Sequence, residues 1–293
     1  MNTATSRPRR GAARAGRRLR RVGRIARAAL LFVAAAAPAA AHDLWLVPSS
    51  FRPTSGELVH VEMALGHAAH AERLPRDESR IARFELHGAN GGASVLGLHG
   101  AAPAGRVRAS EPGLHAIVYV STGDLSVLQA AAFDRYLAEE GLDAARDQRR
   151  QREEGDQPGR EVFFRSIKSL IDVGGRGGPD RPVGIPLELL RERVEPETVT
   201  LRLLLEGRPL AGCLVELQPL GGGPSAAERS DAEGRVRLAA GPGEWLATAV
   251  HIRRGSSREG ADWESLWSSL TFAVPVPEER VGRLDAADRR PGR

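Results

Sequence analysis

Residues 59–65 read Val-His-Val-Glu-Met-Ala-Leu, and this stretch indicates the fold class. Large apolar side chains occupy every second position, which is the period at which a β-strand presents one face to a core. Segments 81–87 and 114–120 are further strand candidates, and glycines between the segments supply turns. We therefore predict a β-rich N-terminal domain over residues 42–175.

A second group of strands follows a Gly- and Pro-rich connector. Residues 198–205 read Thr-Val-Thr-Leu-Arg-Leu-Leu-Leu, and residues 213–217 and 269–274 have similar apolar patterns with turn residues between them. Short strands at this spacing are typical of a β-sandwich. The pattern predicts a C-terminal β-sandwich domain over 198–274 and a polar, disordered tail over 278–293.

One internal segment has helical rather than strand spacing. Apolar residues between 127 and 137 recur three to four positions apart, and Gly141 is a natural C-terminal stop. We predict a helical insertion over 124–172. The predicted fold class is mainly β, with β-sandwich-like domains and a short helical insertion.

The positive charge of the chain is concentrated in its first 41 residues. The formal net charge is +5, but residues 1–41 hold ten of the 42 basic residues and no acidic residue. The remainder therefore carries 32 basic and 37 acidic residues, a balance of −5. Nucleic acid is not predicted as a partner, since no basic surface is left once the leader is removed.

The same 41 residues have the three parts of a secretory signal. An Arg-rich stretch precedes a short apolar run at 28–38, and Ala39 and Ala41 occupy the positions before a cleavage site. The apolar run is too short for a stable anchor, and no other long apolar segment follows. We predict a signal peptide over 1–41, a mature chain that begins at His42 without a stable membrane span, and a periplasmic location.

The cysteine and the tryptophans are predicted to be structural. Cys213 is the only cysteine, so an intramolecular disulfide is impossible, and its strand pattern favours a buried thiol. Trp263 and Trp267 have a spacing that favours core packing over an exposed carbohydrate platform.

Several motifs in the mature region carry a family resemblance. They are His42–Leu46 (HDLWL), Gly66-His67, 133–142 (FDRYLAEEGL), 166–170 (SIKSL), 206–212 (EGRPLAG), 231–234 (DAEG), Trp245, Val250-His251 and 262–272 (DWESLWSSLTF). In this order they resemble a family of exported proteins described as periplasmic components of nickel or cobalt uptake systems. The resemblance covers residues 42–274, and the C-terminal half also resembles prealbumin-like sandwich domains. One departure is the segment 161–165, where family members have more tyrosine.

The resemblance implies that the protein handles a transition metal ion, nickel or cobalt, with copper as an alternative. It also implies partners among metal uptake transporters or outer-membrane receptor components. The family's Gly-His and Val-His motifs fall on His67 and His251.

His42 is the sharpest candidate ligand on chemical grounds. If cleavage follows Ala41, His42 offers both a free α-amine and an imidazole, which together close a chelate ring on Cu²⁺ or Ni²⁺. We predict a metal site made of His42, His67 and His251. His70, three residues after His67, is a weaker candidate.

Other functions stay open. The same N-terminal histidine is compatible with a copper-dependent oxidative enzyme, and a non-catalytic module that binds a glycan or a protein is a further alternative. Hydrolase and phosphate-binding motifs are absent from the sequence, so a non-enzymatic role is favoured. Asp43, Glu62 and Asp262 are possible oxygen ligands, whereas Glu139 and Glu140 are interpreted as solvated.

Overall fold

The structure, a computed structural model, describes residues 42–67, 70–255 and 260–276, and the chain is mainly β as predicted. The predicted signal peptide 1–41 and tail 278–293 lie outside the described residues. In chain order the strands are β1 (Asp43–Pro48), β2 (Leu58–His67), β3 (His70–Leu74), β4 (Ile81–Gly88), β5 (Gly91–Ser94), β6 (Gly105–Arg108), β7 (Gly113–Ser121), β8 (Asp124–Leu128), β9 (Gly159–Val173), β10 (Leu187–Val194), β11 (Thr198–Leu205), β12 (Arg208–Pro209), β13 (Leu214–Pro219), β14 (Ala226–Arg229), β15 (Arg235–Ala239), β16 (Gly243–Arg254) and β17 (Trp263–Val274). The α-helices are α1 (Ala130–Glu139) and α2 (Asp143–Gln151), and Glu78–Arg80 form a 3₁₀ turn.

A large central sheet organises the molecule. Its strand order is β14-β13-β16-β17-β9-β7-β4-β5, with β8 also paired to β9. The pair β17–β9 is parallel, and the other pairs are antiparallel. Strands from both predicted domains, 42–175 and 198–274, thus share one sheet. The sequence does not reveal this because apolar periodicity shows which side chains are buried and not which strands are neighbours.

Two smaller sheets cover the central sheet. The N-terminal sheet has the order β1-β2-β3, with β6 also paired to β2, and the outer sheet has the order β10-β11-β12, with β15 paired to β11. One face of the central sheet packs on the outer sheet through a cluster that includes Leu170, Leu201 and Leu270. The opposite face packs on the N-terminal sheet through a cluster that includes Leu46 and Ile167. The result is a layered β-sandwich.

The helical insertion is shorter than the predicted range 124–172. Helices occupy only Ala130–Glu139 and Asp143–Gln151, with Gly141 between them at φ +63°. The prediction is wrong at both ends of that range, because Asp124–Leu128 form strand β8 and residues 159–172 belong to the long strand β9. That strand lies near the middle of the central sheet and is buried on both faces, so its near-continuous burial hides the alternation that marks a strand.

The core packing predicted for Trp263 and Trp267 is confirmed, whereas Trp245 is half-buried. Trp45, Trp263 and Trp267 are buried, and the ring of Tyr136 stacks on that of Trp267 at 5.7 Å. Helix α1 packs Phe133 against Trp263 on the face of the central sheet that also carries the N-terminal sheet. No helix within the described ranges is long and apolar enough to cross a membrane.

Candidate functional site

Strand β1 is held on both of its edges. On one edge β1 pairs with β2, and on the other its carbonyls accept side-chain hydrogen bonds from the central sheet. Arg165 donates to the carbonyl of His42 at 2.7 Å. The hydroxyl of Ser269 donates to the carbonyl of Leu44, and that of Thr271 to the carbonyl of Leu46, each at 2.8 Å. These bonds replace a missing neighbouring strand. They fix the backbone from which His42 projects.

His42 and His67 lie side by side at the end of the N-terminal sheet. The antiparallel register pairs Asp43 with Gly66, so the next pair along the strands is His42 with His67. Their ring centroids are 5.6 Å apart, and the ring planes are tilted by 35°. The Nδ1 atom of His42 is buried and has no hydrogen-bond partner. A buried, unpartnered ring nitrogen beside a second imidazole is an arrangement that suits a shared ligand.

His70 extends this pair into a row. His67 and His70 are register partners across β2 and β3, which places the three histidines on one face of three neighbouring strands. His67 and His70 therefore lie opposite each other on two antiparallel strands. Residues 68 and 69, between them, lie outside the described residues. We call His42, His67 and His70 the histidine row.

His251 does not join the histidine row. It lies on β16 next to Val250, which packs with the helices, and successive strand residues point to opposite faces. His251 therefore faces the outer sheet, where burial, and secondarily Arg253, lower its pKa. The structure brings together two of the three predicted ligands and places the third on the far side of the central sheet.

Three carboxyl groups surround the anchored end of β1. Burial raises the pKa of Asp43 to about 6, with Arg165 opposing the shift and Glu216 adding to it. Burial also raises the pKa of Glu140 to about 8, and the neighbouring carboxylates of Asp43 and Glu216 add to that shift. The interpretation of Glu140 as a solvated charge was wrong, because the residue follows the last turn of α1 where the helix approaches β1. A charged helical sequence gives no signal for this approach.

The guanidinium group of Arg165 links these features. It is buried, its Cζ atom lies 4.7 Å from the ring centroid of Trp267, and it bonds the carbonyl of His42. Desolvation lowers its pKa, and the carboxyl of Asp43 opposes that effect most strongly. Sequence analysis singled out 161–165 only as a departure from the resembling family, so Arg165 was missed as a positioning residue.

Other candidate groups are not arranged for chemistry. Burial raises the pKa of the Cys213 thiol to about 12, and its Sγ donates to the carbonyl of Val250, so a reactive thiolate is disfavoured. Within the described residues, no three His, Cys, Asp or Glu side chains are grouped so that they could hold a metal ion by themselves.

The comparisons with known proteins give a family and no function. No curated protein matches the chain. The family model DUF4198, described as a domain of unknown function, matches residues 39–253, which include the histidine row and most of the central sheet. Because this match covers well over half of the sequence, the chain belongs to the DUF4198 family.

Proposed function

We propose that this is a periplasmic protein that binds a transition metal ion, nickel or cobalt, and supports its uptake. In this proposal the metal is held by the mature N-terminal His42 and by His67. The observation that supports it most is the buried, unpartnered Nδ1 of His42 on a ring whose centroid lies 5.6 Å from that of His67.

Cleavage after Ala41 would supply the third donor. The freed α-amine of His42 and its Nδ1 can chelate one ion, and a nitrogen of His67 can complete a set of three nitrogen donors. Metal–nitrogen bonds are about 2.0 Å long, so two rings at this separation leave room for one ion between them. This donor set also agrees with the absence of a group of three metal-binding side chains among the described residues.

The backbone that positions the ligands is preorganised for metal binding. Arg165 and the hydroxyl of Ser269 donate hydrogen bonds to the carbonyls of His42 and Leu44 and so fix the backbone at the start of β1. The α-amine and the imidazole of His42 therefore lose little conformational freedom when a metal binds. His67 and His70 are exposed, which leaves the other side of the ion open. An open coordination side suits a protein that passes its ion to a transporter or receptor component.

Nitrogen donors do not select strongly among nickel, cobalt, copper and zinc. The choice of nickel or cobalt rests on the resemblance to periplasmic components of uptake systems. Selective Cu²⁺ binding together with copper-dependent oxidation of a polysaccharide would favour the oxidative enzyme instead.

The test compares the processed protein, secreted into the periplasm, with a version that carries one extra alanine before His42. Mass spectrometry of the N-terminus establishes the start site, and calorimetry with Ni²⁺, Co²⁺, Cu²⁺ and Zn²⁺ measures affinity. We expect the extra alanine and His67→Ala each to weaken binding by at least about tenfold, since each removes or displaces a donor. His251→Ala is the matched control and should bind as the unaltered protein does.

Equal binding by the processed and extended proteins would overturn the N-terminal site. The uptake role has a separate readout, the nickel and cobalt content of cells that lack the protein. Unchanged content under metal limitation would reject the transport role and leave the binding site standing.

A further inference from the structure

A cavity of about 340 Å³ lies between the N-terminal sheet and the central sheet. Its walls are mainly apolar, and the large apolar side chains that line it are those of Leu44, Met63, Leu65, Leu74, Tyr119 and Phe163. On the N-terminal sheet these side chains form a continuous wall, because Leu44 pairs with Leu65 and Met63 pairs with Leu74. An apolar cavity of about 150 Å³ can hold benzene, so this cavity has room for a molecule of about ten carbon atoms.

The charged residues at the rim of the cavity are engaged with one another. Arg80 bonds Asp124 at 2.9 Å and lies 3.4 Å from Asp77. The Oδ1 atom of Asp77 also accepts hydrogen bonds from the backbone N–H and the hydroxyl of Ser79. Each of these charges therefore already has a partner inside the protein, and a charged ligand would have to compete for it.

The charge on the inner wall is engaged in the same way. The guanidinium group of Arg165 donates to the carbonyl of His42 at 2.7 Å and interacts electrostatically with the carboxyl groups of Asp43 and Glu161. Its Cζ atom also lies 5.4 Å from the ring centroid of Phe163. Arg165 thus contributes a surface that is closed by its own partners, and it does not make the wall positive.

The two hydroxyl groups on the wall have partners as well. The hydroxyl of Tyr119 donates to the carbonyl of Arg80 at 3.0 Å, and the Oγ atom of Ser121 accepts from the backbone N–H of Arg165 at 2.9 Å. A ligand that carries a charge would therefore lose its hydration in this cavity without gaining a new partner. An apolar ligand loses nothing of this kind and gains from leaving water.

We propose that this cavity binds a small, neutral, apolar molecule of about ten carbon atoms, which packs against Leu44, Met63 and Leu74. The site is separate from the metal site of the proposed function and needs no metal ion. Naphthalene has the required size and chemistry and is a suitable probe.

Met63 provides a direct reporter inside the cavity. The chain has two methionines, Met1 and Met63, so ¹³C-methyl methionine labelling gives two signals that Met63→Leu assigns. We expect naphthalene to shift the Met63 methyl signal in a saturable way in the presence of EDTA. We also expect nuclear Overhauser effects between the naphthalene protons and this methyl group, since the two are in contact in the complex.

Charged analogues of the same shape test the neutral character of the site. The anion 2-naphthoate and the cation 2-naphthylmethylammonium should each bind at least about tenfold more weakly than naphthalene, because neither charge finds a free partner on the wall. The same Met63 titration measures all three affinities.

Leu74→Trp tests the location, because a larger ring at this half-buried position fills the cavity. It should weaken naphthalene binding at least about tenfold in protein whose fold is checked by circular dichroism. Leu98→Trp, at a position that is 77% exposed and is not part of the cavity wall, is the control and should change nothing.

A Met63 signal in the unaltered protein that saturating naphthalene does not move would overturn the proposal. Binding of either charged analogue as tight as that of naphthalene would overturn the neutral character, and unchanged binding by folded Leu74→Trp would overturn the location. His67→Ala should leave naphthalene binding unchanged, so a failure of the metal site and a failure of this site can be told apart.

Discussion

Two polar clusters lie on opposite faces of the central sheet, and both include a basic residue of β9. On the outer-sheet face, Lys168 is 1% exposed and its Nζ lies 2.9 Å from Asp180 and 3.3 Å from Glu188. The backbone N–H groups of residues 183 and 184 donate to Oε1 and Oε2 of Glu188, and that of residue 191 donates to Oδ2 of Asp180. On the opposite face, Arg165 anchors a histidine row that keeps an unpartnered ring nitrogen.

We interpret the first cluster as structural and the second as the ligand site of the proposed function. The Lys168 cluster joins the connector to the core, and its charges have partners within the protein, so it leaves nothing to offer a ligand. On the face that holds Arg165, the ring nitrogen Nδ1 of His42 has no hydrogen-bond partner, and burial raises the pKa of nearby carboxyl groups. This combination is expected where a ligand completes a site. The following predictions test this division, beginning with the largest expected effect.

Lys168→Met should be the most damaging substitution, because it leaves Asp180 and Glu188 buried without their cation. We expect the free energy of unfolding to fall by about 3–5 kcal/mol in urea denaturation. The matched control is Arg237→Met, which breaks an exposed pair with Glu195 and should change stability by less than about 1 kcal/mol. A loss below that level for Lys168→Met would show that the cluster is not structural.

Glu161 makes the histidine-row face of the central sheet sensitive to pH. Burial raises its pKa to about 7 from its ordinary 4.5, and Tyr136 donates a hydrogen bond to it. The folded state therefore holds a proton that the unfolded state releases, so the contribution of Glu161 to stability is fully present below pH 4.5 and is lost as pH rises through about 7. The expected decline is of the order of 3 kcal/mol.

The variant Glu161→Gln keeps the shape of the side chain and should flatten this dependence. Urea denaturation at pH 5 and pH 8 measures it, with Glu228→Gln as a control on an exposed carboxylate. Equal slopes for Glu161→Gln and the unaltered protein would contradict the assignment.

Thr271→Val should have a moderate effect. The substitution keeps the side-chain shape but removes the hydroxyl that donates to the carbonyl of Leu46 on the β1 edge and also bonds the hydroxyl of Ser169, so both buried groups lose this partner. We expect a loss of about 1–3 kcal/mol in the free energy of unfolding. Thr198→Val, which removes a hydroxyl that bonds only the Glu195 carboxylate, is the comparison and should lose less. Equal losses would mean that β1 is not anchored in this way.

His67→Ala should have the smallest effect on stability. His67 is exposed, so without metal the free energy of unfolding should change by less than about 0.5 kcal/mol. A thermal shift measured in EDTA checks this. A large loss would class His67 with the structural cluster and not with a ligand site.

The sequence predicts strands well where one face of a strand is exposed. The alternation at 59–65 identifies β2, and the register of that strand with β1 then places His67 opposite His42. It fails where strands are buried on both faces, as in β9, and there it also hides which face a residue occupies. His251 was included as a ligand because the resembling family's Val-His motif falls on it, and that motif does not show which face of β16 the residue occupies.

The buried charges were the least predictable part. Arg165, Glu140 and Glu161 look like ordinary charged residues in sequence, and only the packing of α1 and β1 over the central sheet removes them from water. Their altered pKa values come from tertiary burial, which no local pattern encodes.

The central claim is that His42 binds metal through its ring nitrogen and its freed amine, together with His67. X-ray absorption spectroscopy of the nickel-loaded, processed protein tests it most directly. Our account predicts two imidazole ligands at about 2.0–2.1 Å, reduced to one in His67→Ala and unchanged in His251→Ala. A spectrum with only oxygen ligands, or one that His67→Ala leaves unaltered, would contradict it.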